Sequence, residues 1–198
     1  MTRLLINLIV FALLFVSVIC DVKLRGDFKI DGLSAYGVKD EMYSGHLAFE
    51  SDSGDSGKYF FWLAKSRIPE HAKRPRDLVV WLNGGPGCSS LVGMFLENGP
   101  FVAHKVSSDE DDRAFPFTFT SNPFSWNEKA DMLYVEQPLD VGFSVPRKTS
   151  GIPHNEGEIA EDFYAFLAQF LSTFPEYTQN GATELTIAGE SYAGRYIP

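Results

Sequence analysis

Three short runs rich in hydrophobic residues and one segment with helical spacing follow the long apolar stretch of residues 4–20. The runs lie within residues 77–87 (DLVVWLNGGPG), 131–138 (DMLYVEQP) and 183–189 (TELTIAG). Each run predicts a strand, and the first two have the composition of strands buried in a parallel sheet. Before the third run, apolar residues recur at helical spacing from Glu156 to Phe174. Strands that alternate with a helix are typical of an α/β fold with a parallel sheet.

A hairpin and a short helix are predicted around the first of these strands. The aromatic-rich segments 43–49 (YSGHLAF) and 59–65 (YFFWLAK) flank the polar tract 51–58 (SDSGDSGK), which is typical of a hairpin turn. Residues 88–100 (CSSLVGMFLENGP) predict a short helix that ends at the Asn-Gly-Pro sequence. The acidic stretch 107–113 (SSDEDDR) is interpreted as a solvated surface loop rather than a metal site.

Composition narrows the class of protein. The 198 residues are enough for one domain with a sizeable core. Hydrophobic residues make up 44% of the chain and aromatic residues 14%, which excludes a disordered chain. The net charge of −9 argues against a nucleic-acid partner, because nucleic-acid binding requires a basic face.

Residues 1–20 have the pattern of a secretory signal peptide. Arg3 precedes an apolar run, and Val18 and Cys20 stand at suitable positions for cleavage before Asp21. A membrane anchor is the alternative, since the apolar run is marginally long enough to span a bilayer. We expect cleavage, which leaves residues 21–198 in the secretory pathway without a membrane anchor.

The two cysteines have different expected fates. Cys20 leaves with the signal peptide, so Cys88 is then alone in a secreted chain. An odd cysteine in that setting is either a buried free thiol or half of a disulfide whose partner lies in sequence not present here.

The sequence GESYAG, residues 189–194, follows the third predicted strand directly. A strand that runs into Gly-x-Ser-x-small is the pattern of a nucleophile elbow. The turn is so tight that its close neighbours must be small, and Gly189 and Ala193 satisfy this requirement. Ser191 is therefore a candidate nucleophile, with a structural turn as the alternative.

A second glycine-rich stretch, NGGPG at residues 83–87, ends the first predicted strand. Glycines allow backbone N–H groups to approach a ligand closely, as an oxyanion hole requires. Elbow hydrolases take one donor from the residue after the nucleophile and one from an earlier strand–helix loop. The backbone N–H groups of Tyr192 and Gly85 fit these two positions, although a tight structural turn is again the alternative.

Three segments together resemble the serine carboxypeptidases: residues 81–91 (WLNGGPGCSSL), 133–144 (LYVEQPLDVGFS) and 189–198 (GESYAGRYIP). These enzymes of secretory, lysosomal or vacuolar compartments remove C-terminal residues from peptides. The resemblance implies an α/β-hydrolase fold, here the N-terminal part of its central, mostly parallel sheet. It also implies peptide or protein C-termini as substrates, and neither a metal nor a cofactor.

The resemblance also assigns roles to individual residues. It implies that Ser191 forms the acyl-enzyme, with Gly85 and Tyr192 as the oxyanion donors. It implies that Cys88 pairs with a cysteine far downstream. The residues that it places on the terminal carboxylate of the substrate are Asn83, Gly84, Glu97 and Glu190. Taken alone, Glu97 would be interpreted as a solvated residue near the end of a helix.

The carboxylate site raises a question of charge. Two glutamates repel a substrate carboxylate unless protons lie between the oxygens, so that each contact is an O–H···O hydrogen bond. Such a site should favour acidic pH. Asp140 stands where many relatives carry a small or polar residue, which leaves the subsite preference near it open.

A serine nucleophile needs a base, and elbow hydrolases place the acid and the histidine after the serine in the chain. The four histidines, His46, His71, His104 and His154, all precede Ser191. We therefore expect the N-terminal portion of a longer enzyme that is inactive as given. The alternatives are a relative that transfers acyl groups and a non-catalytic secreted peptide binder. The sequence makes no prediction about oligomeric state.

Overall fold

A computed structural model describes residues 24–51, 56–68, 77–105, 117–178 and 184–198. The predicted signal peptide, the acidic stretch 107–113 and the middle of the hairpin turn lie outside the described residues.

The described strands build one mixed sheet with a short second sheet beside it. Their bounds in chain order are β1 Met42–Glu50, β2 Ser56–Ala64, β3 Leu78–Leu82, β4 Phe101–Lys105, β5 Phe117–Ser121, β6 Asp131–Glu136, β7 Val145–Pro146 and β8 Leu185–Gly189. In the main sheet the order is β1-β2-β6-β3-β8, with β7 paired to β2. The predicted hairpin is confirmed, because β1 and β2 pair in antiparallel register.

Three neighbouring strands of the main sheet are parallel, as predicted. Strand β3 lies between β6 and β8 and pairs with both in parallel register. The carboxyl ends of parallel strands meet at one edge, and here Leu82 lies opposite Gly189. The glycine-rich loop after β3 and the predicted elbow after β8 therefore leave the sheet side by side. This edge carries the candidate active site.

The predicted helix is confirmed as α1, which runs from Glu156 to Thr173. The Asn155 side chain caps its start by accepting a hydrogen bond of 3.1 Å from the Glu158 backbone N–H. Phenylalanine rings at helical spacing pack into the core on one face of the sheet. The rings of Phe170 and Phe174 are stacked with centroids 4.6 Å apart, and Phe61 of β2 meets Phe170 edge-on at 5.5 Å.

The other face of the sheet is covered by the β4–β5 hairpin and a short helical segment. The sequence predicted a short helix within residues 88–100. The structure forms it mainly as a π-helical turn at Gly93–Glu97, in which Asn98 N–H donates 2.9 Å to the Gly93 carbonyl oxygen, five residues earlier. The segment ends at Asn98-Gly99-Pro100 as predicted.

The end of the sheet away from the glycine-rich loop holds a buried ion pair. Lys65 and Asp131 form a salt bridge, and their side chains are 4% and 0% exposed. Tyr177 joins both, since its hydroxyl accepts from Lys65 Nζ and donates to Asp131 Oδ2, each at 2.7 Å. Because both charges are paired and hydrogen-bonded, the pair fits a structural role in joining β2, β6 and the turn after α1. Within the described ranges, no helix combines the length and apolar character needed to cross a membrane.

Candidate active site

Ser191 lies in a sharp turn between β8 and a second helix, α2, which spans Ala193–Tyr196. Its φ angle is +55°, in the left-handed region that L-residues rarely adopt. Backbone hydrogen bonds hold the turn, including Glu190 N–H to the Leu82 carbonyl oxygen at 3.2 Å and Ala193 N–H to the Glu190 carbonyl oxygen at 2.9 Å. The Ser191 residue is exposed. The strained turn therefore presents this residue at the carboxyl edge of the sheet, as the elbow pattern predicts.

The prediction that the neighbours of the turn must be small is confirmed. A Cβ atom on Gly189 would overlap the Leu82 carbonyl oxygen and would come within 2.6 Å of the Ala193 Cβ. Ala193 itself is fully buried. A larger residue at either position would push the elbow away from β3.

The glycine-rich loop after β3 is in contact with this elbow. A Cβ atom on Gly84 would overlap the Tyr192 backbone nitrogen and lie 2.8 Å from the Glu190 carbonyl oxygen. Gly85 and Gly87 have φ angles of +112° and +84°, which glycine adopts without strain. The structure thus brings the backbones of Gly84 and Tyr192 together, with Gly85 next in the chain. The roles of Gly85 and Tyr192 as oxyanion donors stay a prediction.

The predicted carboxylate-binding residues are also brought together. The Asn83 side-chain amide donates 2.9 Å to Glu190 Oε1 and 3.4 Å to Glu97 Oε1. Asn83 is buried, with 2% exposure, whereas Glu97 and Glu190 are exposed. One amide group therefore joins two carboxylates that lie open to a ligand. Glu190 is the chain neighbour of Ser191, so this cluster and the candidate nucleophile share one surface.

Two residues that the sequence did not single out fix the orientation of the Asn83 amide. Its Oδ1 atom accepts 2.9 Å from Trp81 Nε1 and 3.1 Å from the Gly93 backbone N–H. Because the Asn83 Oδ1 atom is occupied by these two donors, the NH₂ group of the same amide faces the glutamates. Trp81 lies two residues before Asn83, and side chains two residues apart in an extended chain lie on the same face. This spacing is the one sequence signal that Trp81 contacts Asn83. Nothing in the sequence pointed to Gly93, where a Cβ would overlap the Trp81 ring nitrogen.

A buried carboxylate supports the far end of the glycine-rich loop. Glu136, at the end of β6, is 1% exposed and accepts hydrogen bonds from the Ser89 hydroxyl and the Phe143 backbone N–H. It thereby ties the loop to residues 139–144. Asp140, near which the sequence left the subsite preference open, is exposed with a φ angle of +75°.

The Tyr192 side chain is tethered to the start of α1. Its hydroxyl donates 2.7 Å to Glu156 Oε1, and Arg195 lies 3.8 Å from the same oxygen. The hydrogen bond lowers the pKa of Glu156 and raises the pKa of Tyr192. The contact orders the residue that follows the candidate nucleophile.

Cys88 is exposed and unpaired among the described residues. Among the described residues the thiol is thus free, as one alternative had it, but exposed rather than buried. The interpretation of Cys88 as half of a disulfide stays a prediction.

The described histidines make contacts that do not involve Ser191. His46 Nε2 lies 2.7 Å from the Phe143 carbonyl oxygen, and His104 Nε2 lies 2.8 Å from Thr120 Oγ1 in the β4–β5 hairpin. The His154 backbone N–H donates to Glu158, and His71 lies outside the described residues. Among the residues that the structure describes, no group of three or more His, Cys, Asp and Glu could hold a metal ion.

Comparisons with known proteins agree with this architecture. A family model described as "Serine carboxypeptidase" matches residues 33–198. Carboxypeptidase Y of Komagataella phaffii is 42% identical over 158 residues, which are 80% of this chain and 26% of that protein. The probable serine carboxypeptidase CPVL of Mus musculus is 35% identical over 163 residues, or 82% of this chain and 30% of that protein.

A solved structure shares the fold. The crystal structure of Kex1(Δ)p, a prohormone-processing carboxypeptidase from Saccharomyces cerevisiae, matches with a TM-score of 0.70 at 29% identity. The match covers 89% of this chain and 38% of that chain. The chain thus spans less than two-fifths of the length of these relatives. The α/β-hydrolase fold is confirmed, and the chain belongs to the serine carboxypeptidase family.

Proposed function

We propose that this protein is a serine-type carboxypeptidase that removes residues from the C-termini of peptides. The observation that carries the proposal is the Asn83 amide, which joins the exposed carboxylates of Glu97 and Glu190 beside Ser191. A site for a terminal carboxylate next to a nucleophile places the last peptide bond of a substrate at that nucleophile. Such a site selects exopeptidase action over cleavage within a chain.

In the proposed reaction the Ser191 oxygen attacks the carbonyl carbon of the last peptide bond. The resulting oxyanion is stabilised by the N–H groups of Gly85 and Tyr192, and the C-terminal amino acid leaves as the acyl-enzyme forms. Water then releases the shortened peptide. Both steps need a general base, which elbow hydrolases take from a histidine later in the chain than the serine.

Binding of the substrate carboxylate requires protons as well as hydrogen-bond geometry. We infer that a proton lies in each contact between the substrate carboxylate and Glu97 or Glu190, so that each is an O–H···O hydrogen bond, while Asn83 and the Gly84 backbone complete the site. The Asn83 amide directs its N–H groups at the two glutamates, so it holds them together without adding a charge. Because carboxylates that face one another repel unless protons lie between their oxygens, we expect binding to favour acidic pH.

The double variant Glu97→Gln with Glu190→Gln tests this inference. The protein is expressed from its own gene, so that any residues encoded after Pro198 are included. Glutamine keeps an N–H donor at every pH, so we expect a flatter pH profile of kcat/KM between pH 4.5 and pH 7.5 than in the wild type.

The control substrate for this variant is the same N-blocked dipeptide with a C-terminal amide, on which both proteins should show similar pH profiles. A double variant that keeps the wild-type profile on the free acid would show that these residues do not bind the substrate carboxylate.

We further infer that the chain enters the secretory pathway and acts in a secreted, lysosomal or vacuolar setting. The pattern of residues 1–20 and the membership in this family support the inference. On this basis residues 1–20 are a signal peptide and residues 21–198 belong to the hydrolase domain.

A further inference from the structure

The loop that carries Gly85 is held at two points by the segment that carries Ser191. At its start, the Gly84 backbone packs directly on the Tyr192 nitrogen and the Glu190 carbonyl oxygen. At its far side, the Gly87 backbone N–H donates 3.2 Å to the Tyr196 hydroxyl oxygen. The backbone N–H of Gly85 belongs to the stretch between these two points. Its position relative to the Tyr192 N–H therefore depends on both.

We propose that Tyr196 is a positioning residue for the oxyanion hole, because its hydroxyl fastens the Gly85-containing loop to the helix that follows Ser191. The inference rests on the proposed function. Tyr196 touches no reacting atom. It acts by fixing the distance between two backbone donors that come from different loops.

Tyr196 is itself well anchored. Its ring packs against the core beside α1 and meets the Tyr192 ring at 5.2 Å in an edge-on arrangement. It lies five residues after Ser191, within the short helix α2. Burial is the main cause that raises the pKa of Tyr196, so the phenol stays neutral over the acidic and neutral range. A rigid, neutral phenol gives the Gly87 N–H an acceptor that does not change with pH.

The loop needs such a fastening because its backbone is unusual. Gly85 and Gly87 both have positive φ angles, and glycine is the most flexible residue in the unfolded and loop states. Oxyanion donors act only when they are held close to their productive positions, within about 0.5 Å. Removing one donor outright costs roughly 10²- to 10³-fold in kcat in a known serine protease. A loosened donor should cost less than that.

The first test asks whether the hydroxyl holds the loop. In the Tyr196→Phe variant the ring stays and the acceptor is lost, so the Gly87 amide should exchange with deuterium about fivefold faster, the factor expected for one net hydrogen bond. Tyr164→Phe is the matched control, because Tyr164 lies on α1 with 75% of its surface exposed. Exchange is read by NMR on the protein expressed from its own gene. An unchanged Gly87 rate in Tyr196→Phe would overturn the proposal.

The second test asks whether the loop matters for the reaction. Tyr196→Phe should lower kcat about tenfold on an N-blocked dipeptide and leave KM within about twofold, since the carboxylate site is intact. Tyr164→Phe should leave both constants unchanged. A rise in KM with unchanged kcat would overturn the positioning role. The positioning role would also be overturned if the loss of activity were fully explained by a loss of folded protein, which thermal unfolding measures.

The two tests also separate this inference from the proposed function. If the wild-type protein shows no Ser191-dependent turnover, the proposed function is wrong, and the catalytic part of the inference fails with it. The exchange rate of Gly87 would still decide whether Tyr196 holds the loop.

Discussion

Replacing Ser191 with alanine should lower kcat on an N-blocked dipeptide by about 10⁶-fold, the loss seen when the nucleophile of another serine hydrolase is removed. The reason is that no other described hydroxyl has the left-handed elbow geometry of Ser191, whose φ angle is +55°. Without its oxygen no acyl-enzyme forms. The measurement compares kcat of the wild type and of Ser191→Ala directly, with both proteins expressed from their own gene.

Peptide binding gives this variant an internal control. The residues around the Asn83 amide are untouched, so the affinity for a peptide with a free C-terminus should stay within about threefold of the wild type. Ser34→Ala, at an exposed serine far from the elbow in sequence, should have no effect on either quantity. Activity of Ser191→Ala above about 1% of the wild type would show that the nucleophile is another residue.

A second large effect is expected from Gly84→Ala. The added Cβ would overlap the Tyr192 backbone nitrogen and would lie 2.8 Å from the Glu190 carbonyl oxygen and 3.1 Å from the Ser191 Cβ. Two of these three are backbone atoms that cannot rotate away, so the loop and the elbow must separate. Since the separation moves both oxyanion donors apart, we expect kcat/KM to fall on the order of 10³-fold.

Gly194→Ala is the matched control for this variant. Gly194 lies close to Ser191 in the chain, in the segment that follows the elbow. A Cβ atom on Gly194 meets no atom within 4 Å. Alanine in a helix is favourable, so Gly194→Ala should keep its activity and its unfolding temperature. Thermal unfolding of Gly84→Ala separates a displaced site from an unfolded protein. Activity of Gly84→Ala within threefold of the wild type would contradict the close contact between loop and elbow.

The sequence predicted the parts of this fold that depend on local patterns. The apolar runs around Val80 and Leu133 became the parallel strands β3 and β6, because such runs are stable only when both faces are covered. The helical spacing from Glu156 to Phe174 became α1, with its phenylalanines in the core. The elbow at Ser191 was predictable because its constraint is itself local: a tight turn admits only small neighbours such as Gly189 and Ala193.

Sequence patterns do not predict the contacts that orient the candidate active site. The hydrogen bond from Gly87 to Tyr196 joins residues 109 positions apart, and the one from Asn83 to Glu190 spans 107. Neither has a periodic signature, since both depend on the register of two loops. The resemblance to a known family supplied Glu97, whereas the parts of Trp81 and Gly93 depend on hydrogen bonds to the Asn83 amide that no sequence pattern indicates.

Local patterns did not specify how the predicted helix is wound. Residues 88–100 predicted a short helix, and the chain winds there as a π-helical turn at Gly93–Glu97. The wide turn is compatible with the contact of Gly93 with the Trp81 ring and the Asn83 amide. A pattern of apolar residues does not distinguish the i+4 hydrogen bonds of an α-helix from the i+5 hydrogen bonds of a π-helix. The sequence therefore carries no signal of the π-helical winding.

We expect the Asn83–Glu97–Glu190 cluster to direct Ser191 to the last peptide bond of a substrate. The most direct measurement follows one peptide by mass spectrometry at pH 5, with its amidated twin beside it, in the presence of the protein expressed from its own gene. We expect stepwise loss of single residues from the C-terminus of the free acid, much slower cleavage of the amide, and no cleavage by Ser191→Ala. Cleavage within the peptide, loss of residues from its N-terminus, or equal rates on the acid and the amide would contradict this expectation.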